Sequence, residues 1–173
     1  IGSLLNKLRK DKFKSNDTVF GKGNYFPLLD NTKVSLPEDK YCRGEIPLLI
    51  DPIKIQDIAL IFFDKNGEVF PSYNFNENPI YYKKARISID FYGLQHTSLV
   101  RGRKKTWDKC DILVDITNND LKVHINDVLK RNELIEQCYE QLIKYLDKEE
   151  PYTMVVKSFL NEKVRNQEYS WLK

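Results

Sequence analysis

The chain has 173 residues and a formal net charge of +3, with 41% hydrophobic and 31% charged residues. This composition is typical of one globular domain, or of a small domain with an extension, and excludes an intrinsically disordered chain. The net charge is too small to indicate nucleic-acid binding by itself. No apolar run is long enough to cross a bilayer, and the three cysteines lack the spacing of a disulfide framework or a zinc site. We therefore expect a cytoplasmic protein without membrane contact.

The first fourteen residues are the most basic stretch of the sequence, and they indicate a short amphipathic helix. Three leucines between residues 4 and 8 share one face at helical spacing, and lysine and arginine side chains surround them. Two interpretations stay open for this segment. It is either a solvated helix face or a place where Lys7, Arg9 and Lys10 contact nucleic-acid phosphates.

The clearest β signal lies between residues 58 and 72. Glycine and proline punctuate residues 15–52 too often for a long helix, so short extended pieces are expected there. The apolar runs "IALIFF" (58–63) and "EVFPS" (68–72) then flank the turn sequence "DKNG" (64–67). Because an Asn-Gly pair tolerates the positive φ angles of tight turns, this pattern predicts a β-hairpin.

The chain is predicted to be helical from about residue 82 onward. The predicted helices cover residues 83–94, a stretch from 97 or 98 onward, residues 123–148 and residues 152–164. Gly93 ends the first, Thr97 or Ser98 caps the second, and Pro151 opens the last. The "NND" of residues 118–120 is expected to break or kink the second helix.

The faces of these helices follow from their apolar spacing. The second helix is predicted to turn Trp107, Cys110 and Val114 inward. Its basic residues are predicted to point outward, namely Arg101, Arg103, Lys104 and Lys105. An apolar stripe on the third helix comprises Ile125, Val128, Leu129, Ile135, Tyr139, Leu142, Ile143 and Leu146. The predicted fold is α+β, with a small N-terminal half that contains the β-hairpin (residues 1–81) and a helical bundle (residues 82–173).

No complete catalytic motif is visible in the residues themselves. Residues 21–23, Gly-Lys-Gly, lack the spacing of a phosphate-binding Walker loop. Neither His96 nor His124 lies beside a nucleophile motif. Asp111 and Asp115 share a helix face, and paired carboxylates can bind Mg²⁺, but such pairs are far more often solvated. We therefore predict a domain without a self-evident active site or metal ligands.

Five segments nevertheless carry a resemblance to a known family. They are "KGNYFPL" (22–28), "EIPLLIDP" (45–52), "FFDKNGEVFPS" (62–72), "GLQHTSLVRGR" (93–103) and "PYTMVVKSFL" (151–160). In this order they resemble the HNH-nuclease subunit of the Septu anti-phage system and related retron-associated HNH proteins. The resemblance implies metal-dependent HNH endonuclease activity on DNA and a partner that is an ABC/SMC-type ATPase.

The same resemblance implies that Lys22, Gly23 and Asn24 shape the end of the ββα unit of an HNH core. The alternative is a plain turn followed by core aromatic residues. The family's catalytic histidine has no counterpart before Lys22, and Thr18-Val19 replace the expected Cys/Asn pair. No catalytic residue is therefore carried over. We expect the expressed protein to be longer, with a divalent metal bound in the upstream segment.

Three hypotheses about function follow. The first is a subunit of an anti-phage defence nuclease complex that contacts DNA phosphates without reading sequence. The basic residues predicted to do so are Lys7, Arg9, Lys10, Arg101, Arg103, Lys104 and Lys105. The alternatives are a non-catalytic adaptor that binds the ATPase through its helical half, and a phage structural protein. Candidate anchors for a protein partner are Trp107, Tyr139 and Trp171, because large aromatic side chains dominate interface energetics.

Overall fold

The computed structural model describes residues 27–30, 44–147 and 152–172. In chain order it contains helix α1 (Ile55–Ile58), strands β1 (Ile61–Phe63) and β2 (Val69–Pro71), and four longer helices. These are α2 (Pro79–Phe91), α3 (Thr97–Val123), α4 (Val128–Tyr145) and α5 (Thr153–Lys163), followed by a 3-10 helix (Gln167–Leu172). A two-stranded hairpin followed by helices confirms the predicted α+β class.

The β-hairpin forms where the sequence predicts it, with Phe62 opposite Phe70 in an antiparallel pair. The carboxylate of Asp64 accepts hydrogen bonds from the backbone N–H groups of Asn66 (3.0 Å) and Glu68 (2.8 Å). Gly67 adopts the positive φ of 77° that the turn requires. The strands are shorter than predicted because α1 makes a helical turn of the residues before Leu60.

Helix α2 begins four residues earlier than predicted because Asn78 caps it. The Asn78 side chain accepts a hydrogen bond from the Tyr81 N–H (3.0 Å), and a proline occupies the first helical turn. The helix ends just before Gly93, whose φ is 62°, as the sequence predicts. The buried Ser88 hydroxyl accepts a hydrogen bond from the Ile50 N–H (2.8 Å). This hydrogen bond holds the chain segment around Ile50 against α2.

Helix α3 corrects two predictions. His96, rather than Thr97 or Ser98, is its N-cap, since the imidazole accepts from the Ser98 N–H. The helix also continues unbroken through residues 118–120. Asn118 is buried there, and its side chain is hydrogen-bonded to Glu168 (3.2 Å) and to the indole N–H of Trp171 (3.1 Å). These contacts, some fifty residues away in sequence, outweigh the poor helix propensity of asparagine.

Helix α4 begins at Val128, five residues later than predicted. It also buries fewer residues of the predicted apolar stripe than the periodicity suggests. The side chain of Asp127 accepts a hydrogen bond from the Lys130 N–H (2.9 Å) and caps the helix at Val128. Cys138 and Leu142 are buried, as is expected for an inner face. Four other members of the predicted stripe are exposed instead, which corrects the prediction: Ile125, Val128, Leu129 and Ile143.

The larger core lies between α3, α4, α5 and the 3-10 helix. The rings of Trp107 and Phe159 meet edge to face at its centre, with centroids 5.3 Å apart. The hairpin docks on this core through Phe63, whose N–H donates to the Ser158 hydroxyl (3.2 Å). This hydrogen bond crosses the boundary predicted at residue 82. Within the described ranges, no helix has both the length and the apolar content that crossing a membrane requires.

Candidate functional site

A small polar cleft of about 250 Å³ lies where the hairpin turn meets α3 and α5. Its walls are formed by Lys65, Asn66, Lys104, Trp107, Asp108, Asp111, Glu162 and Lys163. Three ammonium groups face three carboxylates, so the cleft has no excess charge. Lys104 already pairs with Asp108 (2.8 Å), and Lys163 pairs with Asp111. Because four of its six charged groups are already paired and its volume is below the usual range for ligand sites, the cleft is a poor catalytic centre.

Lys163 is the most heavily contacted charge in this region. Its ammonium group lies between Asp111 and Asp115, 3.7 Å from the latter, and 4.4 Å from the centroid of the Tyr169 ring. The Tyr169 hydroxyl donates to Asp115 (2.8 Å). Burial alone would lower the pKa of Lys163, but the two carboxylates outweigh it, so the pKa is raised. The ammonium therefore stays charged and joins α3 to α5.

The contacts of Lys163 determine whether Asp111 and Asp115 are available to bind a metal ion. The two carboxylates do share one face of α3, but they hold a lysine ammonium in the position where a metal ion would bind. Among the described residues, no group of three or more His, Cys, Asp or Glu side chains is placed to hold a metal. Asp111 and Asp115 are therefore engaged in an ion-pair network instead of the Mg²⁺ site that paired carboxylates allow, and no catalytic step is assigned to them.

The seven residues predicted to contact nucleic acid fall into three groups: three lie outside the described residues, three are exposed, and Arg103 is buried. Lys7, Arg9 and Lys10 lie outside the described residues, as do the motif residues Lys22, Gly23 and Asn24. Arg101, Lys104 and Lys105 are exposed on the N-terminal half of α3, as predicted.

Arg103 corrects the prediction of an outward side chain, because it is 3% exposed. Its guanidinium donates to the carbonyl oxygens of Leu94 and Leu99 and lies 5.1 Å from the centroid of the Phe63 ring. Burial lowers the pKa of Arg103, although nearby Tyr152 and Asp64 oppose this effect. Arg103 therefore connects α3 to the hairpin and is unable to reach DNA in this fold.

The three candidate anchors for a protein partner are packed within the chain. Trp107 is buried in the core. Tyr139 donates its hydroxyl proton to the Trp171 carbonyl oxygen (2.9 Å), and the half-buried Trp171 donates its indole N–H to Asn118. None of the three offers a free aromatic surface.

A different group of aromatic residues is exposed, at the connection between β2 and α2. Tyr73, Phe75 and Tyr81 are 41%, 47% and 44% exposed, and we call these three residues the aromatic surface. The Tyr73 and Tyr81 ring centroids lie 5.5 Å apart. The loop between them is held by reciprocal hydrogen bonds of Asn74 and Glu77, at 3.0 and 2.9 Å. The sequence predicts a loop over residues 74–79, although "YNFNENPIYY" (73–82) holds four aromatic residues in ten.

Helix α3 also exposes aliphatic side chains that sequence reasoning missed. Ile112 and Ile116 are 60% and 56% exposed, and Val123 is 76% exposed. Their spacing places them on one side of the helix, opposite the buried Cys110 and Val114. The signal was present in the sequence as a second apolar face on one helix.

Comparison with known proteins adds no relative. No protein-family model, no curated protein and no solved structure matches this chain.

Proposed function

We propose that this chain is a subunit of an anti-phage nuclease complex of the Septu-like kind, and that its described residues form a protein-binding part of that complex. The resemblance of the five sequence segments supports the class of complex. The aromatic surface supports the binding role, and it is the observation that carries the proposal.

The aromatic surface has the properties of a binding site for another protein. Tyr and Phe are enriched at the centres of interfaces, where they bury a large area with few rotatable bonds. Tyr73 and Phe75 are exposed in a loop that is already fixed by its own hydrogen bonds, and Tyr81 is exposed in the first turn of α2. A partner therefore gains their burial without the entropy cost of ordering the loop.

The partner that the resemblance implies is an ABC/SMC-type ATPase. In this proposal the ATPase contacts the aromatic surface and controls the nuclease activity of the complex. Cleavage of DNA with a divalent metal would depend on residues other than the described ones, which hold no suitable set of ligands.

Co-purification tests this proposal. The chain is co-expressed with the ABC/SMC-type ATPase of the same genome, and the amount of ATPase that elutes with it is measured. We expect co-elution, and we expect the double variant Tyr73→Ser and Phe75→Ser to lose most of it. The matched control is Ile143→Ser, which removes an apolar side chain of α4 that is even more exposed, at 63%. Equal recovery of the ATPase with the aromatic double variant would contradict the proposal.

Contact with DNA is the second candidate role, favoured by the exposed basic side chains on α3. Arg101, Lys104 and Lys105 could follow phosphates, and such binding weakens steeply with salt through counterion release. Substitution of Arg101 and Lys105 by glutamate reverses two charges. It should weaken the affinity of the chain for DNA by a similar factor for unrelated DNA sequences. A salt-insensitive affinity, or one that these changes leave intact, would assign these residues to the ordinary solvated surface.

A further inference from the structure

The outer side of helix α3 has the pattern of a helix–helix contact. Exposed positions recur there at alternating intervals of four and three residues, and we call this set the outer seam. It comprises Lys105, Lys109, Ile112, Ile116, Asn119 and Val123. This period of 3.5 residues is the one that keeps a seam facing a neighbouring helix along its whole length. Helix α3 thus has one face in the core and a second face suited to another helix.

The apolar centre of the seam is uncovered by the described part of the chain. Ile112 and Ile116 are both more than half exposed, in spite of lying in the middle of a 27-residue helix. An exposed apolar stripe flanked by polar residues is typical of an interaction surface. A partner helix would therefore gain the burial of both isoleucines.

The charges along the seam indicate what this partner is. The N-terminal half of the outer side carries Arg101, Lys105 and Lys109. The C-terminal half carries Asp120 and, on its other flank, Lys122, whose ammonium is already paired with Glu168 (2.8 Å). Lys109 and Asp120 are exposed, and within the described residues neither side chain is engaged in an ion pair. The surface is therefore self-complementary when two copies run in opposite directions.

We propose that the outer seam binds the outer seam of a second copy of this chain, in antiparallel orientation. The two-fold axis passes between Ile112 and Ile116, so that Ile112 of one copy packs on Ile116 of the other. Lys109 then lies opposite Asn119 and beside Asp120 of the second copy. A parallel arrangement would instead place Lys105 and Lys109 against the same lysines, and like charges in contact are destabilising.

The ends of the seam are compatible with the same register. Val123 of one copy falls opposite Lys105 of the other, where the aliphatic part of the lysine side chain can cover it while the ammonium stays in water. Asn119 lies within the seam, and a single polar residue at such a position favours one register over others. The proposed contact is independent of the aromatic surface, so that the failure of one proposal leaves the other standing.

Sedimentation of the full chain over a wide range of protein concentration tests the existence of the dimer. We expect a monomer–dimer equilibrium, and we expect the double variant Ile112→Lys and Ile116→Lys to weaken it by at least about tenfold. Circular dichroism verifies that the variant is folded. Ile143→Lys is the matched control, since Ile143 is exposed on α4 outside the seam, and it should leave the equilibrium unchanged. A chain that stays monomeric at every concentration, or a dimer that survives the double variant, would overturn the proposal.

A charge exchange tests the orientation. Lys109→Asp and Asp120→Lys should each weaken the dimer, and the variant that carries both changes should restore it, because the two sites face each other across the interface. An antiparallel contact also predicts that a mixture of Ile112→Cys and Ile116→Cys chains, both in a Cys42→Ser background, forms the mixed disulfide. Formation of the Ile112→Cys homodimer alone would show a parallel contact and overturn the antiparallel assignment.

Discussion

Gly67 is the residue at which the hairpin turn meets helix α3. Its φ is 77°, and a β-carbon there would lie 2.3 Å from the Val100 carbonyl oxygen and 2.6 Å from the Lys104 nitrogen. Both neighbours are backbone atoms of a helix, so neither can move aside at low cost. The glycine thus permits two things at once: the turn itself and its close approach to α3.

Replacement of Gly67 by alanine should therefore destabilise the fold by about 2–4 kcal/mol, the sum of a positive-φ cost and an overpacking cost. Gly44→Ala is the matched control, because Gly44 has a φ of 93° with no atom within 4 Å of the added β-carbon. It should lose about 1–2 kcal/mol, the conformational cost alone. Urea unfolding of the two variants measures both. Equal losses would mean that the turn does not pack on α3 as described.

Arg103 and Arg101 are two arginines on the same helix with opposite surroundings. Arg103→Met leaves the Leu94 and Leu99 carbonyl oxygens without their donor and should cost about 1–3 kcal/mol. Arg101→Met changes an exposed side chain and should stay within about 0.5 kcal/mol of the unmodified protein. Thermal unfolding of the two variants and of the unmodified protein measures both losses of stability. A similar small effect at both positions would show that Arg103 is exposed after all.

At the scale of elements, α1 is tied to α2 by one ion pair. The carboxylate of Asp57 in α1 accepts a hydrogen bond from the Lys84 ammonium (2.6 Å) and another from the Asp51 N–H (2.9 Å). Burial by itself raises the pKa of Asp57, but these two donors outweigh it, and the pKa lies below its ordinary value of 3.8. The folded state therefore favours the ionised carboxylate.

This shift sets the direction of a pH effect. Because the pKa of Asp57 is lower in the folded than in the unfolded chain, its contribution is complete above about pH 4 and is lost as the pH falls further. Asp57→Asn should cost about 1–3 kcal/mol at pH 7, and its difference from the unmodified protein should shrink in more acidic buffer. Urea unfolding at a series of pH values measures this difference. A cost that is the same at every pH would contradict the ion pair.

The elements that sequence predicts well are those with local signals. The Asn-Gly turn and Gly93 after α2 each act within a few residues, and each is found in the structure. The helix predicted over residues 152–164 is found as Thr153–Lys163. The continuation of α3 through Asn118 could not be predicted, because it depends on Glu168 and Trp171 far along the chain. The geometry of the candidate site could not be predicted either. The burial of Arg103 and the pairing of Lys163 with two aspartates arise only when the helices pack together.

At the scale of the whole molecule, the described residues present two surfaces and no metal-binding cluster. The aromatic surface lies at the start of α2, and the outer seam lies along α3. Both present exposed apolar side chains on elements that are themselves held in place by packing or hydrogen bonds, which is the arrangement that lowers the entropy cost of binding. In the two proposals made above, one surface joins an ATPase and the other a second copy of this chain.

Hydrogen–deuterium exchange tests this central claim most directly. The full chain is labelled alone and with the ABC/SMC-type ATPase, and the exchange of each peptide is compared. We predict slower exchange on addition of the ATPase in peptides that cover residues 72–82, where the aromatic surface lies, with peptides of α5 unchanged as an internal control. Unaltered exchange over residues 72–82, with or without protection elsewhere, would contradict the assignment of this surface to the partner.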